Sequence, residues 1–160
     1  MQKNISEFYA HDHDELDIYF REFRRWKRRN YALAKTSFVK FRSGLLRHIA
    51  WEEDILFPLF EKITGMCDGP TAVMREEHRQ ILAILEAIHD KVRAENPDSD
   101  EEEQQLSLIL KEHNDKEEMV LYPAIDRTVS AEDRRQVYQQ MARFSLEPVA
   151  GCGCPSALSD

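Results

Sequence analysis

The segment His48-Ile49-Ala50-Trp51-Glu52-Glu53-Asp54-Ile55-Leu56-Phe57-Pro58 is repeated in kind by His113-Asn114-Asp115-Lys116-Glu117-Glu118-Met119-Val120-Leu121-Tyr122-Pro123. Each has a histidine, two glutamates four and five residues later, an aliphatic-leucine-aromatic run and a proline. On a helix, residues i and i+4 lie one above the other on the same face. The pattern therefore aims an imidazole and a carboxylate at one point, twice. Neutral imidazoles combined with carboxylates are ligands for transition metals, and two anionic glutamates can bridge two divalent ions.

Two further histidines share this geometry. His78 lies between Met74 and Ile81 on an apolar stripe, and His13 lies three residues before Leu16 and seven before Phe20. His48 and Glu52 fall in register with Leu45 and Ile55, and His113 and Glu117 fall between Leu110 and Val120. Four helices thus each send one histidine inward, and two of them add a glutamate. Burying ionised carboxylates among apolar residues costs several kcal/mol each unless a positive group compensates. The inward faces offer no Lys or Arg near these positions. His13, His48, Glu52, His78, His113 and Glu117 are the expected metal ligands, two nitrogens and two oxygens per ion, with room left for a small exogenous ligand. The donor set favours iron, with manganese or zinc as alternatives. His11 competes with His13 for the first-helix place, and His13 is preferred because it shares the stripe with Leu16, Phe20 and Phe23. His89 lies eleven residues beyond His78, about 16 Å along a helix axis, so its role is structural.

Helical periodicity runs through nearly the whole chain and no segment alternates like a strand for long. A first helix begins near Asn4 or Ser6, where Asn4 and Glu7 have capping-box spacing, and runs to about Asn30. A second starts around Thr36 and carries Phe38, Phe41, Leu45, Ile55, Leu59 and Ile63 inward. Residues 64–70 are a turn by composition. A third helix from Thr71 carries Met74, Ile81, Leu85, Ile88 and Val92. After a polar loop at 95–100, a fourth carries Leu106, Leu110, Val120 and Ala124, and a short fifth runs from Ala131 to about Phe144. The expectation is an all-α, up-down-up-down antiparallel four-helix bundle over residues 1–146. A loose tail over 147–160 holds Cys152-Gly153-Cys154.

The remaining features narrow the function classes. One hundred and sixty residues suit a single domain. Thirty acidic against twenty-two basic residues give a net charge of -8, which argues against nucleic acid as a partner. No apolar run reaches the roughly 20 residues of a membrane span. The polar N-terminus is unlike a signal peptide, and three cysteines are too few and scattered for a disulfide framework, so the expected location is the cytoplasm. There is no phosphate-cradling GxxxxGK[ST], no GxSxG elbow and no HExxH zinc helix. A ferritin-like site would need Glu-x-x-His on two helices, and no inward histidine has a glutamate three positions before it. The six basic residues within 21–29 read as a solvated helix face, and Cys152 and Cys154, at most half a metal site, as part of a loose tail. Pro58 and Pro123 are expected to kink or end their helices alike.

On its HxxxEE…LFP and HxxxEE…LYP segments the chain resembles the hemerythrin-like (HHE) family over about residues 8–127. The resemblance implies a four-helix bundle holding two iron ions, carboxylate-bridged through Glu52 and Glu117 and oxo- or hydroxo-bridged, with the six ligands named above. The oxygen-carrying members have a second histidine one turn after the third-helix ligand, where this chain has Leu82. They also have an aspartate five residues after the last histidine, where it has Glu118. The four-histidine, two-glutamate set is similar instead to the domains of iron-centre repair proteins and of an iron-sensing F-box ubiquitin ligase subunit. The resemblance implies a centre that reacts with or senses oxygen, nitric oxide or peroxide under redox, nitrosative or iron stress. Its alternatives are an iron sensor or donor that signals to a protein partner, a metal-dependent adaptor, and a peroxide-decomposing di-iron enzyme.

Overall fold

The computed structural model describes residues 2–144, so the expected cysteine-bearing tail lies outside the described residues. The first helix, α1 (Ile5–Trp26), starts at Asn4, whose side chain accepts from the Glu7 N–H in the expected capping box. Its N-terminal end is tied down a second time: Asp126 accepts from the backbone N–H of Ile5 (2.8 Å) and Ser6 (3.0 Å). A carboxylate placed there meets both unpaired donors and the positive end of the helix. α1 stops at Trp26 rather than Asn30, because Asn30 caps the next helix by accepting from the Leu33 N–H. α2 (Tyr31–Trp51) therefore begins five residues earlier than the apolar pattern suggests.

Two helices depart from regular geometry. α2 passes through a π turn, Glu52–Leu56, into α3 (Phe57–Thr64), and α5 (Asp100–Lys116) passes through a π turn, Glu117–Leu121, into α6 (Tyr122–Thr128). In each, the N–H after the turn reaches back five residues, Phe57 to the Glu52 carbonyl and Tyr122 to the Glu117 carbonyl. The next residue is Pro58 or Pro123, which has no N–H to donate and whose ring would crowd the carbonyl four residues back. The widened turn absorbs the proline, so neither helix ends there. The extra residue also rotates the helix beyond it. Leu121 is buried in place of Val120, which is 61% exposed, and Phe60 turns inward while Ile63 is 43% exposed.

α4 (Pro70–Arg93) packs against α5, as α1 does against α2, and α7 (Ala131–Ala142) buries Val137 and Met141 over one end. The apolar core falls into two clusters. One is built on Phe20, Phe38, Phe41, Leu45, Ile81 and Leu85, the other on Ile5, Tyr9, Phe57, Leu121, Tyr122 and Ile125. A layer of buried histidines and glutamates separates them. The basic run is not simply a solvated face. Lys27 is 5% exposed and pairs with Asp100 and Glu103, and Arg28 bonds Asp100 at 2.8 Å, so the end of α1 docks on the acidic start of α5. Cys67 is disulfide-bonded, so the sparse cysteines carry no argument about compartment. Among the described residues no helix is long and apolar enough to cross a membrane.

Candidate metal centre

The structure brings all six expected residues into the polar layer: His13 from α1, His48 from α2, Glu52 from the first π turn, His78 from α4, His113 from α5 and Glu117 from the second π turn. All are buried, Glu52, His78 and Glu117 completely. His11 stays outside, paired with Glu15 at 3.4 Å, and His89 lies away from the layer beside Glu86 and Phe38.

The histidines form two pairs, His13 with His48 and His78 with His113, each separated by 35 residues in the chain. Their Nε2 atoms approach to 3.0 and 3.1 Å. Glu52 Oε1 lies 2.8 Å from His48 Nε2 and 3.8 Å from His78 Nε2, and Glu117 Oε1 lies 2.9 Å from His113 Nε2 and 3.5 Å from His13 Nε2. Each carboxylate therefore reaches both pairs. His13, His48 and Glu117 offer donor atoms within 4.8 Å of one another, and so do His78, His113 and Glu117.

The opposite edge of every imidazole is held by a carboxylate. Asp12 faces His48 Nδ1 at 2.7 Å, Glu53 faces His78 Nδ1 at 2.9 Å, Glu77 faces His113 Nδ1 at 2.9 Å and Glu118 faces His13 Nδ1 at 3.0 Å. These links run α1 to α2, the first π turn to α4, α4 to α5, and the second π turn back to α1, closing a ring around the bundle. A carboxylate accepts only, so each Nδ1 carries the proton and donates it outward. In the neutral ring Nε2 then points a lone pair inward. Sequence reasoning assigned no role to these four outer carboxylates, although each stands next to an inner residue in the chain.

Lone pairs that face each other at 3.0 Å repel unless something positive lies between them. Protons supply part of that charge in the metal-free chain. Burial and His48 push His13 down, but contacts with Glu117 and Glu118 leave it raised. His113 is likewise pushed down by burial and carried above the usual range by Glu117, Glu52 and Glu77. His78 is lowered, burial foremost. Burial and then the Glu117 charge push Glu52 well up, whereas Glu117, despite its burial, is held well down by Glu52, His113 and His13. Glu52 is thus the more readily protonated of the two. Glu52 Oε1 and both oxygens of Glu117 nevertheless have no hydrogen-bond partner of good geometry.

The donors fit a pair of metal ions. Ligand atoms about 2.1 Å from an ion and at right angles around it stand about 3 Å apart, which is the spacing within each histidine pair and along each HxxxE. A cavity of about 240 Å³ reaches the layer from the surface beside α1 and α5, walled by Leu16, Phe20, Phe41, Leu45, Ile81 and Leu110 and open to all four histidines.

The profile of the family described as Hemerythrin HHE cation binding domain matches residues 4–125. Among curated proteins the chain is similar to a DNA nickase of Nostoc sp., 26% identical over 133 residues, which is 83% of this chain and 36% of that protein. The chain therefore spans about a third of the length of that relative. No solved structure matches it.

Proposed function

The chain belongs to the hemerythrin HHE cation-binding family, and from that premise we propose that it binds two iron ions in the polar layer and uses them to react with or sense oxygen, nitric oxide or peroxide. The observation that carries the reading is the convergence of four Nε2 lone pairs and unpartnered carboxylate oxygens in a buried layer. His13 and His48 would hold one ion, His78 and His113 the other, with Glu52 and Glu117 bridging. Iron, when bound, supplies one-electron chemistry toward such small molecules. The protein's own part is to fix the donors and govern access. The outer carboxylates lock the tautomer and orientation of each imidazole. The apolar clusters on either side keep bulk water out, and the cavity, smaller than the usual 300–1,000 Å³ of organic-ligand pockets, admits only small molecules. Manganese or zinc in the same donor set is an alternative outcome of the same assay.

The test is metal content per chain after anaerobic purification, with visible spectra before and after air. About two irons per chain and an oxidation-dependent spectrum support the reading. Metal-free protein of unchanged thermal stability, or Glu52→Ala and Glu117→Ala variants that keep full iron, refute it. A stable, reversible oxygenated form would mark a carrier or oxygen sensor, and catalytic peroxide turnover an enzyme.

A second reading, nicking of DNA, comes from the similarity to the Nostoc protein. It has against it the net charge of -8, which repels a polyanion. Incubation of the metal-loaded chain with supercoiled plasmid decides it: open circles establish nicking, unchanged supercoils retire it.

A further inference from the structure

The two halves of the layer are related by the repeat, but one contact breaks the relation. Immediately after each π turn stands an aromatic residue, Phe57 in the first and Tyr122 in the second. Phe57 lies flat against His78, 6.0 Å between centroids with an interplanar angle of 4°. Tyr122 instead brings a hydroxyl into the layer, 3.4 Å from His13 Nε2, 3.4 Å from His48 Nε2 and 3.2 Å from Glu52 Oε2. The side chain is fully buried. Its oxygen faces three of the atoms that would surround the ion on the His13–His48 side, and no Lys or Arg lies among its hydrogen-bond partners. A phenol needs only Glu52 as an acceptor, yet this one stands equally near two imidazole nitrogens, the arrangement of a further donor, third in kind, around one centre.

We propose that Tyr122 is a one-sided additional ligand, binding the ferric ion held by His13 and His48 through its phenolate oxygen. The second ion has Phe57 at the equivalent place and no such donor. In forming the bond the Tyr122 O–H breaks, an oxygen–iron bond forms, and the proton passes to solvent water, with no change in oxidation state. Tyr9, edge-on to His48 at 5.2 Å and 5.0 Å from the Tyr122 ring, keeps that ring in place. The two ions are then chemically distinct, and the one beside Tyr122 is the harder to reduce, because an anionic oxygen donor favours the higher charge.

This inference rests on the two-iron reading, and the experiment separates the two. The full chain is loaded with ferrous iron, oxidised, and examined by visible absorption and resonance Raman spectroscopy together with metal analysis. The expected result is a phenolate-to-iron charge-transfer band with enhanced tyrosine ring modes. That band is lost in Tyr122→Phe at unchanged iron content, and it gains intensity in Phe57→Tyr, which supplies a phenol to the other half. Iron bound with no tyrosine modes in the parent protein overturns the inference and leaves the centre standing, as does a band that survives Tyr122→Phe. Failure to bind iron at all overturns both.

Discussion

Removing the outer carboxylates one at a time should weaken metal binding in an order set by their burial. Asp12, Glu77, Glu53 and Glu118 hold His48, His113, His78 and His13 through contacts of 2.7, 2.9, 2.9 and 3.0 Å. Their side chains are 11, 16, 31 and 36% exposed in the same order. Loss of such a partner costs roughly 10- to 100-fold in metal affinity, about 1.4 to 2.8 kcal/mol. The more buried the link, the less water can replace the lost oxygen. Asp12→Ala should therefore lie near the hundredfold end and Glu118→Ala near or below tenfold, with Glu77→Ala and Glu53→Ala between. The losses should also divide by position. If His13 and His48 hold one ion and His78 and His113 the other, Asp12→Ala and Glu118→Ala weaken the first and the other two variants the second. Anaerobic competition against a chelator of known affinity, followed to two equivalents, measures both steps. Four variants with parental affinity, or an order in which Glu118→Ala is the worst, would show that the ring does not orient the imidazoles.

Metal and protons compete for the same nitrogens. His13 and His113 are raised in the folded metal-free chain, so the stability they contribute is complete below the ordinary histidine pKa of about 6.5 and is lost as pH rises through their folded values. Metal binding has the opposite slope, because it requires neutral imidazoles. The melting-temperature gap between loaded and metal-free protein should widen from pH 6 to pH 9, and a constant gap would contradict the shared site. Lys27→Ala leaves the 1%-exposed Glu103 carboxylate without its buried cation, a loss of about 3 to 5 kcal/mol in urea unfolding. Iron stoichiometry should be unchanged, and a loss under 1 kcal/mol would mean that Arg24, 3.3 Å from Glu103, or water takes over the charge. At Gly44 an added Cβ would lie 2.5 Å from Leu16 Cδ2. That methyl is the free end of a side chain bordering the cavity, so it can shift at little cost, and the roughly 1 kcal/mol gain in helix propensity should make Gly44→Ala melt higher; a variant that melts lower would show that Leu16 is held in place.

The inner residues were legible because HxxxE and the apolar stripes share one period, which is why His13 could be preferred over His11 from Leu16, Phe20 and Phe23 alone. The π turns escaped that reasoning. A 3.6-residue period sends Val120 inward, and only the wide turn before Pro123 puts Leu121 there instead. The outer carboxylates escaped for another reason. Asp12 precedes His13 and Glu118 follows Glu117, but each serves a histidine on a different helix, and no local pattern states that pairing. Tyr122 was visible only as an aromatic shared by the two segments, whereas its chemistry lies in the difference from Phe57. Asn30 was read as the end of one helix although asparagine is among the best N-caps, and the basic residues before it are good helix formers that hid the break.

The ring of carboxylate links also sorts itself by where the chain could first make them. Asp12 to His48 closes within the α1–α2 hairpin and Glu77 to His113 within the α4–α5 hairpin, while Glu53 to His78 and Glu118 to His13 cross from one hairpin to the other. Each hairpin thus owns a complete pair of imidazoles, one of them oriented before its partner arrives, and lends the other hairpin the carboxylate that orients the second. The centre is a reciprocal exchange between two near-equivalent halves, and the ions would act as the clasp that joins them. Chain cut between Gly65 and Met66, ahead of the disulfide-bonded Cys67, would then come as two fragments whose reassembly depends on metal.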